Sequence, residues 1–327
     1  MNAATERFVA ALAMTVVAIT VVGGGLLTAV VPAQAASPAA QTASAGQTFA
    51  TPEEAVTALA GAVKQSSVDQ LMALFGAGGQ DLVSSADPAT ARQNREVFMV
   101  AFSEGWHLVD DKPNRKTLVV GNENWPFPVP LVKAANRWHF DAAAGKEEVI
   151  ARRIGRNELQ VIDICKTYVA SQQRYARDGH DGIAAGSYAQ SFRSDPGRHN
   201  GLYWPDAKGE PKSPLGDLMS QAADEGRATG PTASELSPFY GYYFKILKSQ
   251  GKSAKGGAKS YVVSGNMTGG FALVAWPAQY DATGVMTFIV NQDGVLRQKD
   301  LGPQTGATAK AMTLYNPDAS WHEVSER

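Results

Sequence analysis

Residues Arg137 to Tyr175 read RWHFDAAAGKEEVIARRIGRNELQVIDICKTYVASQQRY. Trp138-His139-Phe140 has the aromatic character of a strand end. A charged helical run follows, with Glu147, Glu148, Arg152 and Arg153. Gly155 predicts a break, and a second helix is expected from Arg156-Asn157-Glu158 onward. Val161, Ile162, Cys165, Tyr168, Val169 and Tyr175 recur at the spacing of a helix with one buried face. Everything before this stretch reads as one half of the molecule, and everything after it as another.

The chain has 327 residues, enough for two ordinary domains. Its formal net charge is -1, and neither a basic stripe nor an acidic tail is present. Nucleic acid is therefore not an expected partner. The single cysteine, Cys165, excludes an intramolecular disulfide. It falls on the apolar helix face, so a buried, inert thiol is expected rather than a reactive or dimer-forming one.

Phe8 to Val31 is almost wholly apolar, and Ala33-Gln34-Ala35 follows as a small-x-small cleavage pattern. Residues 1–35 are expected to be a secretory signal peptide. The run is also long enough to span a bilayer, so an uncleaved membrane anchor is the alternative. Gly23-Gly24-Gly25 interrupts the run and favours the signal. The absence of a following cysteine excludes a lipoprotein anchor. Residues 36–48 are Ala, Ser, Thr, Gln and Pro for the most part and are expected to be a disordered linker. The expected localisation is extracytoplasmic, with membrane contact only through an uncleaved N-terminal segment.

The folded part is expected to begin near Phe49. Thr51 is a good N-cap, Pro52 suits the first helical position, and Glu53 and Glu54 complement the helix dipole. Ala55, Val56, Leu59 and Val63 form the buried stripe. A second helix is expected over Ser67 to Phe75 and a third from Asp87-Pro88 to Phe102, burying Val97, Phe98 and Phe102. Strands follow at Trp106 to Asp110, Thr117 to Val120, Trp125 to Val132 and Arg137 to Phe140. The prolines make Trp125 to Val132 an edge strand or a ladder with gaps.

Beyond the long helix, strands are expected at Tyr240 to Leu247, Tyr261 to Ser264, Phe271 to Trp276 and Val285 to Val290. Asp293-Gly294 predicts a tight turn into a strand over Val295 to Lys299. Ser249 to Lys259 is expected to be a solvated hairpin loop. The fold class is α+β in two domains, 49–158 and 159–327, joined at Ile154 to Leu159. The first domain has helices and then a curved antiparallel sheet, a pattern that resembles cystatin-like and NTF2-like domains. The second has a long helix and then an antiparallel sheet.

Five blocks carry a more specific likeness: Trp125-Pro126-Phe127-Pro128-Val129-Pro130-Leu131-Val132, Arg152 to Glu158, Gly201-Leu202-Tyr203-Trp204-Pro205, Tyr240 to Phe244 and Phe288 to Gly294. Through them the chain resembles the bacterial domain of unknown function 2950 family, from about Phe49 to the C-terminus. That resemblance implies a secreted bacterial protein and supplies no activity and no site residues. The second half, through Gln172-Gln173-Arg174-Tyr175 and Gly284 to Val290 before Asp293-Gly294, is also similar to the globular heads of type IV pilins and pseudopilins. A pilin's apolar helix runs directly into its head, whereas here a whole domain intervenes.

Among candidate sites, Arg152, Arg153, Arg156, Asn157 and Glu158 form the densest polar cluster. Arginine forks could hold a carboxylate or phosphate, and the structural alternative is salt bridging at the domain junction. Trp125-Pro126, Trp204-Pro205 and Trp276-Pro277 could present aromatics to sugar rings, with Tyr203 beside Trp204. Core or interface packing is the expected state. Asp178-x-His180-x-Gly182 has too few carboxylates for a calcium loop, and His107, His139, His180, His199 and His322 lack i, i+4 pairs, so no metal is expected. Gly251-Lys252-Ser253 lacks the first glycine of a phosphate-binding loop, and Ser249-Gln250-Gly251-Lys252 lacks the helix start that a Ser-x-x-Lys nucleophile needs. No cofactor is expected. The functional expectation is a non-enzymatic envelope protein that binds a partner, an envelope protein or cell-wall glycan, or scaffolds an assembly. The alternative is an extracytoplasmic hydrolase or ligand-sensing protein with a pocket between the two domains.

Overall fold

The computed structural model describes residues 46–83, 88–224 and 238–325. The expected signal segment and all of the linker up to Ala45 lie outside the described residues. The chain groups into two compact units that divide between Val149 and Ile150, ahead of the Ile154 to Leu159 junction read from the sequence. The architecture is α+β, with antiparallel pairing in every ladder between strands.

The first unit begins with α1 (Pro52–Lys64). Thr51 caps it, its hydroxyl accepting from the Glu54 N–H at 3.2 Å. Ala55, Val56, Leu59, Ala62 and Val63 are buried, a stripe that follows the helical period. In α2 (Val68–Phe75), Ser67 accepts from the Gln70 N–H, and Gly76 ends the helix at φ 68°. A short α3 (Gln80–Val83) and the longer α4 (Pro88–Glu104) complete the helices. On α4, Phe98 is buried, but Val97 and Val100 are exposed, against the expectation for Val97. The helix turns its phenylalanines, not its valines, toward the core.

The sheet of this unit runs β1 (Trp106–Lys112), β2 (Arg115–Val120), β4 (Leu131–Ala134) and β5 (Arg137–Phe140), with β3 (Trp125–Pro126) also on β2. The proline-rich stretch is thus a ladder with a gap, as prolines without N–H groups require. Phe75, Phe127 and Phe140 form a chain of edge-on rings at 5.5 and 6.2 Å. Phe49 exchanges two backbone hydrogen bonds with Trp138 at 2.8 and 2.9 Å. Gln47 donates its N–H to Ala73, and Arg137 donates to the Thr48 hydroxyl and carbonyl. The last residues of the expected disordered linker are therefore part of the fold, because sheet and helix supply partners for their backbone.

The helix α5 (Ala142–Asp178) is continuous through Gly155. The expected break is absent: a mid-helix glycine costs only about 1 kcal/mol against alanine, and tertiary contacts beyond it outweigh that. Val161, Cys165, Tyr168, Val169 and Tyr175 are buried, as their spacing predicts. They pack against the second unit's sheet, ordered β14 (His322–Glu323), β13 (Arg297–Asp300), β12 (Met286–Asn291), β11 (Ala272–Pro277) and β6 (Tyr242–Leu247). The Tyr168 hydroxyl donates to the Ala272 carbonyl at 3.2 Å, and its ring meets Phe271 edge-on at 5.6 Å. Every residue of β11 is buried, and α7 (Thr305–Ala311) packs on the same strand. Two small ladders complete the unit: β7 (Ser249–Gln250) with β8 (Lys259–Ser260), and β9 (Val262–Val263) with β10 (Asn266–Met267). Between them and α5 lie a looped region and α6 (Gly216–Asp224). Among the described residues no helix is long and apolar enough to cross a membrane.

Candidate functional site

The polar cluster on α5 separates into two kinds of residue. Asn157 Nδ2 donates to the Thr283 carbonyl at 2.8 Å. Glu158 Oε1 accepts from the Val285 and Met286 N–H groups, both at 2.9 Å, and from the Tyr242 hydroxyl at 3.4 Å. These two side chains fasten the helix to the ends of β6 and β12, so their hydrogen-bonding capacity goes to the fold. Burial first, then the nearby Glu158 charge, pushes the Tyr242 phenol pKa up. Arg153 and Arg156 are exposed, and Arg152 is half-buried. Partial desolvation, then repulsion from Arg153 and Arg152, lowers the Arg156 pKa. Arg152, Arg153 and Arg156 lie within about one turn of α5.

The aromatic candidates occupy other places. Trp125 is a half-buried residue of the first unit, edge-on to Phe127. Tyr203 lies under the Arg193 guanidinium, 5.4 Å from ring centroid to Cζ. Trp204 is only 3 % exposed, and its Nε1 donates to the Pro211 carbonyl. Trp276 is buried as well. Neither Trp204 nor Trp276 is a platform for a sugar ring; both serve the core, because large rings bury more area there than at the surface.

Trp204 belongs to an aromatic cluster with His199 at 4.4 Å and His180 at 5.3 Å, and His180 also stacks on Tyr175 at 4.5 Å. The Nε2 of His180 is buried without a hydrogen-bond partner. Desolvation is the main cause that lowers its pKa, with Asp178 and Asp181 pulling upward and His199 and Arg174 downward. The carboxylates of the Asp178 loop are engaged: Asp178 pairs with Arg177 at 3.1 Å, and Asp181 takes the His199 N–H and Arg198. Among the described residues no three His, Cys, Asp or Glu gather as a metal site.

A concave site lies elsewhere, at the loop between β7 and β8. That loop is not a free hairpin tip. Gln250, buried, donates Nε2 to the Lys255 and Gly257 carbonyls at 2.8 and 2.6 Å and accepts from the Tyr261 hydroxyl at 2.9 Å. Ser249 Oγ donates to the Thr313 carbonyl, so it is a strut and not a nucleophile. Gly251 is packed so closely that a Cβ would stand 2.3 Å from Asn316 Oδ1, and that same oxygen accepts from the Ser253 N–H. The glycine there serves close approach, which explains why it lacks a phosphate loop's companions.

A cleft of about 750 Å³ opens between this loop, the β12–β13 turn and the C-terminal segment. The loop contributes Ser253 and Lys255, the turn Asn291, Asp293 and Arg297, and the C-terminal segment Tyr315 and Asp318. Asn291 and Tyr315 are buried at its floor. Burial raises the Tyr315 pKa, while the charge of Arg297 opposes it. Arg297 Nη2 also donates to Glu323 at 2.7 Å. Asp293, read from the sequence only as part of a turn, therefore also lines the site. Its three segments are remote along the chain, so no local motif announces it.

The family model described as Protein of unknown function (DUF2950) matches residues 46–324 of the chain. No curated protein and no solved structure matches it.

Proposed function

We propose that this chain, which belongs to the DUF2950 family, is a secreted or envelope-associated binding protein whose ligand docks in the cleft of the second unit. The observation that carries this reading is the division of labour in that cleft. Behind the lining, buried Gln250 holds the loop that carries Ser253 and Lys255 and accepts from the Tyr261 hydroxyl, while the charges of Lys255, Asp293 and Asp318 stand exposed in the cleft. A stiffened loop that presents exposed charged groups is how a preformed ligand site is built. The extracytoplasmic setting rests on the Phe8 to Val31 apolar run and Ala33-Gln34-Ala35.

The test has two parts. Fractionation of cells expressing the full chain should place it outside the cytoplasm, with a mature N-terminus after Ala35. The melting temperature of the released protein should rise with soluble muropeptides and should not rise in a Lys255→Glu variant. Ligand at 100 times its Kd stabilises by about 2.7 kcal/mol. Cytoplasmic retention would overturn the setting, and a muropeptide shift that survives Lys255→Glu would overturn the cleft as the site.

A further inference from the structure

We infer, resting on the cleft reading above, that the ligand is dipolar: a short peptide whose carboxylate meets Lys255 and Arg297 and whose ammonium meets Asp293. Among the described residues no ion pair links Lys255 or Arg297 to Asp293 or Asp318 across the cleft. Lys255 makes no ion pair at all there, yet its backbone is fixed, since its carbonyl accepts from Gln250. Arg297 gives Nη2 to Glu323, and its charge acts on the nearby Tyr315. A guanidinium has five N–H donors, so donors remain for a ligand carboxylate.

Asp293 is the complementary group. Its carboxylate has one protein contact, a long 3.4 Å approach from Asn291 Nδ2, while its own N–H donates to Asn291 Oδ1. Its charge helps to raise the pKa of Tyr261 and Tyr315, after burial, so its field reaches the cleft floor. Asp318 is turned to Ser320, taking its N–H at 2.9 Å and its hydroxyl, and is a secondary partner.

Both signs in one cleft, not paired with each other although Arg297 also pairs with Glu323, select against simple ions. A bare anion gains Lys255 and Arg297 but meets Asp293; a bare cation meets the reverse. A ligand with both charges satisfies each group and incurs neither repulsion. Size narrows the class further. The space of about 750 Å³ is more than a single small amino acid fills. A peptide of a few residues fits the usual range of ligand sites.

Calorimetric titration of the released full chain with tetra-alanine, N-acetyl-tetra-alanine and tetra-alanine amide tests this. The free peptide should bind, and capping either end should weaken binding by roughly ten-fold or more, as the loss of one charged hydrogen-bonded contact does. Asp293→Asn should erase the penalty of acetylation, and Lys255→Ala should reduce the penalty of amidation to what Arg297 alone sustains. Lys166→Ala, on the exposed face of α5, should change neither. Equal binding of the three peptides overturns the dipolar class while leaving the cleft in place. Binding of none of them also overturns it, and the cleft then stands only if muropeptides still stabilise the protein through Lys255.

Discussion

The two units each hold a five-stranded antiparallel sheet and treat it differently. In the first, β1 is exposed along its length except at Leu108, although it carries Trp106 and Val109. In the second, β11 has no exposed residue and β12 none either. The sequences carry the distinction: Trp-His-Leu-Val-Asp-Asp-Lys mixes apolar and charged residues, whereas Ala-Leu-Val-Ala-Trp-Pro is a continuous apolar run, the pattern of a strand covered on both faces. What differs is place in the sheet: β1 is an edge strand, whereas β11 has a neighbour on each side. In the second unit the stripe of α5 and the short α7 both reach β11, and a polar clasp from Asn157 and Glu158 fixes the helix to the strand ends. The lesson is that an open edge tolerates change, and a doubly covered strand does not.

That contrast can be broken by experiment. Leu273→Ala, at a fully buried site of β11, should cost about 2–5 kcal/mol, while Val109→Thr on β1 should stay within about 0.5 kcal/mol; urea unfolding of both variants decides it, and equal losses would dissolve the distinction between the sheets. Glu158→Ala strands two backbone N–H groups and should cost about 2–4 kcal/mol by the same measurement. A neutral result would mean that water replaces the carboxylate and that the clasp is not what holds α5.

A third prediction concerns pH. The folded pKa of His180 lies below its ordinary value, chiefly through desolvation, so the unfolded chain takes up the proton first. Its contribution to stability is complete above about pH 6.5 and falls as the pH drops through that value toward the folded pKa. The melting temperature should therefore fall between pH 7.5 and 5.5 in the natural protein and fall less in His180→Phe. Identical slopes would remove the buried imidazole as the cause. The smallest effect expected is a gain: Gly155→Ala should stabilise α5 by about 0.5–1 kcal/mol, since an added Cβ meets nothing within 4 Å. A loss would show that the helix needs its glycine.

Much of the fold was legible because it is written locally. Thr51-Pro52-Glu53-Glu54 states a helix start in four residues, and Asp293-Gly294 states a turn, closed by the Gly294 N–H on the Asn291 carbonyl at 2.9 Å. The apolar stripe from Val161 to Tyr175 needs only its period. The continuity of α5 was not legible, since a glycine's local cost is visible in sequence and the distant groups that outweigh it are not. The site followed the same rule. The cluster from Arg152 to Glu158 is dense along the chain, but two of its members are consumed by strands more than a hundred residues away. The cleft's charges come from three segments that only the sheet brings together. A residue-level hint did exist: Lys255, Asp293 and Asp318 sit in turn-rich stretches beside buried aromatics.

Cys165 offers a last use of this architecture. Its thiol is 1 % exposed, and burial pushes its pKa far up, so a thiol reagent cannot reach it while α5 lies on the sheet. As the chain's single cysteine, it turns the native protein into its own stopwatch: the rate at which a chromogenic disulfide is consumed times the opening of the second unit. Ligand in the cleft should slow that clock without any label having been engineered into the molecule.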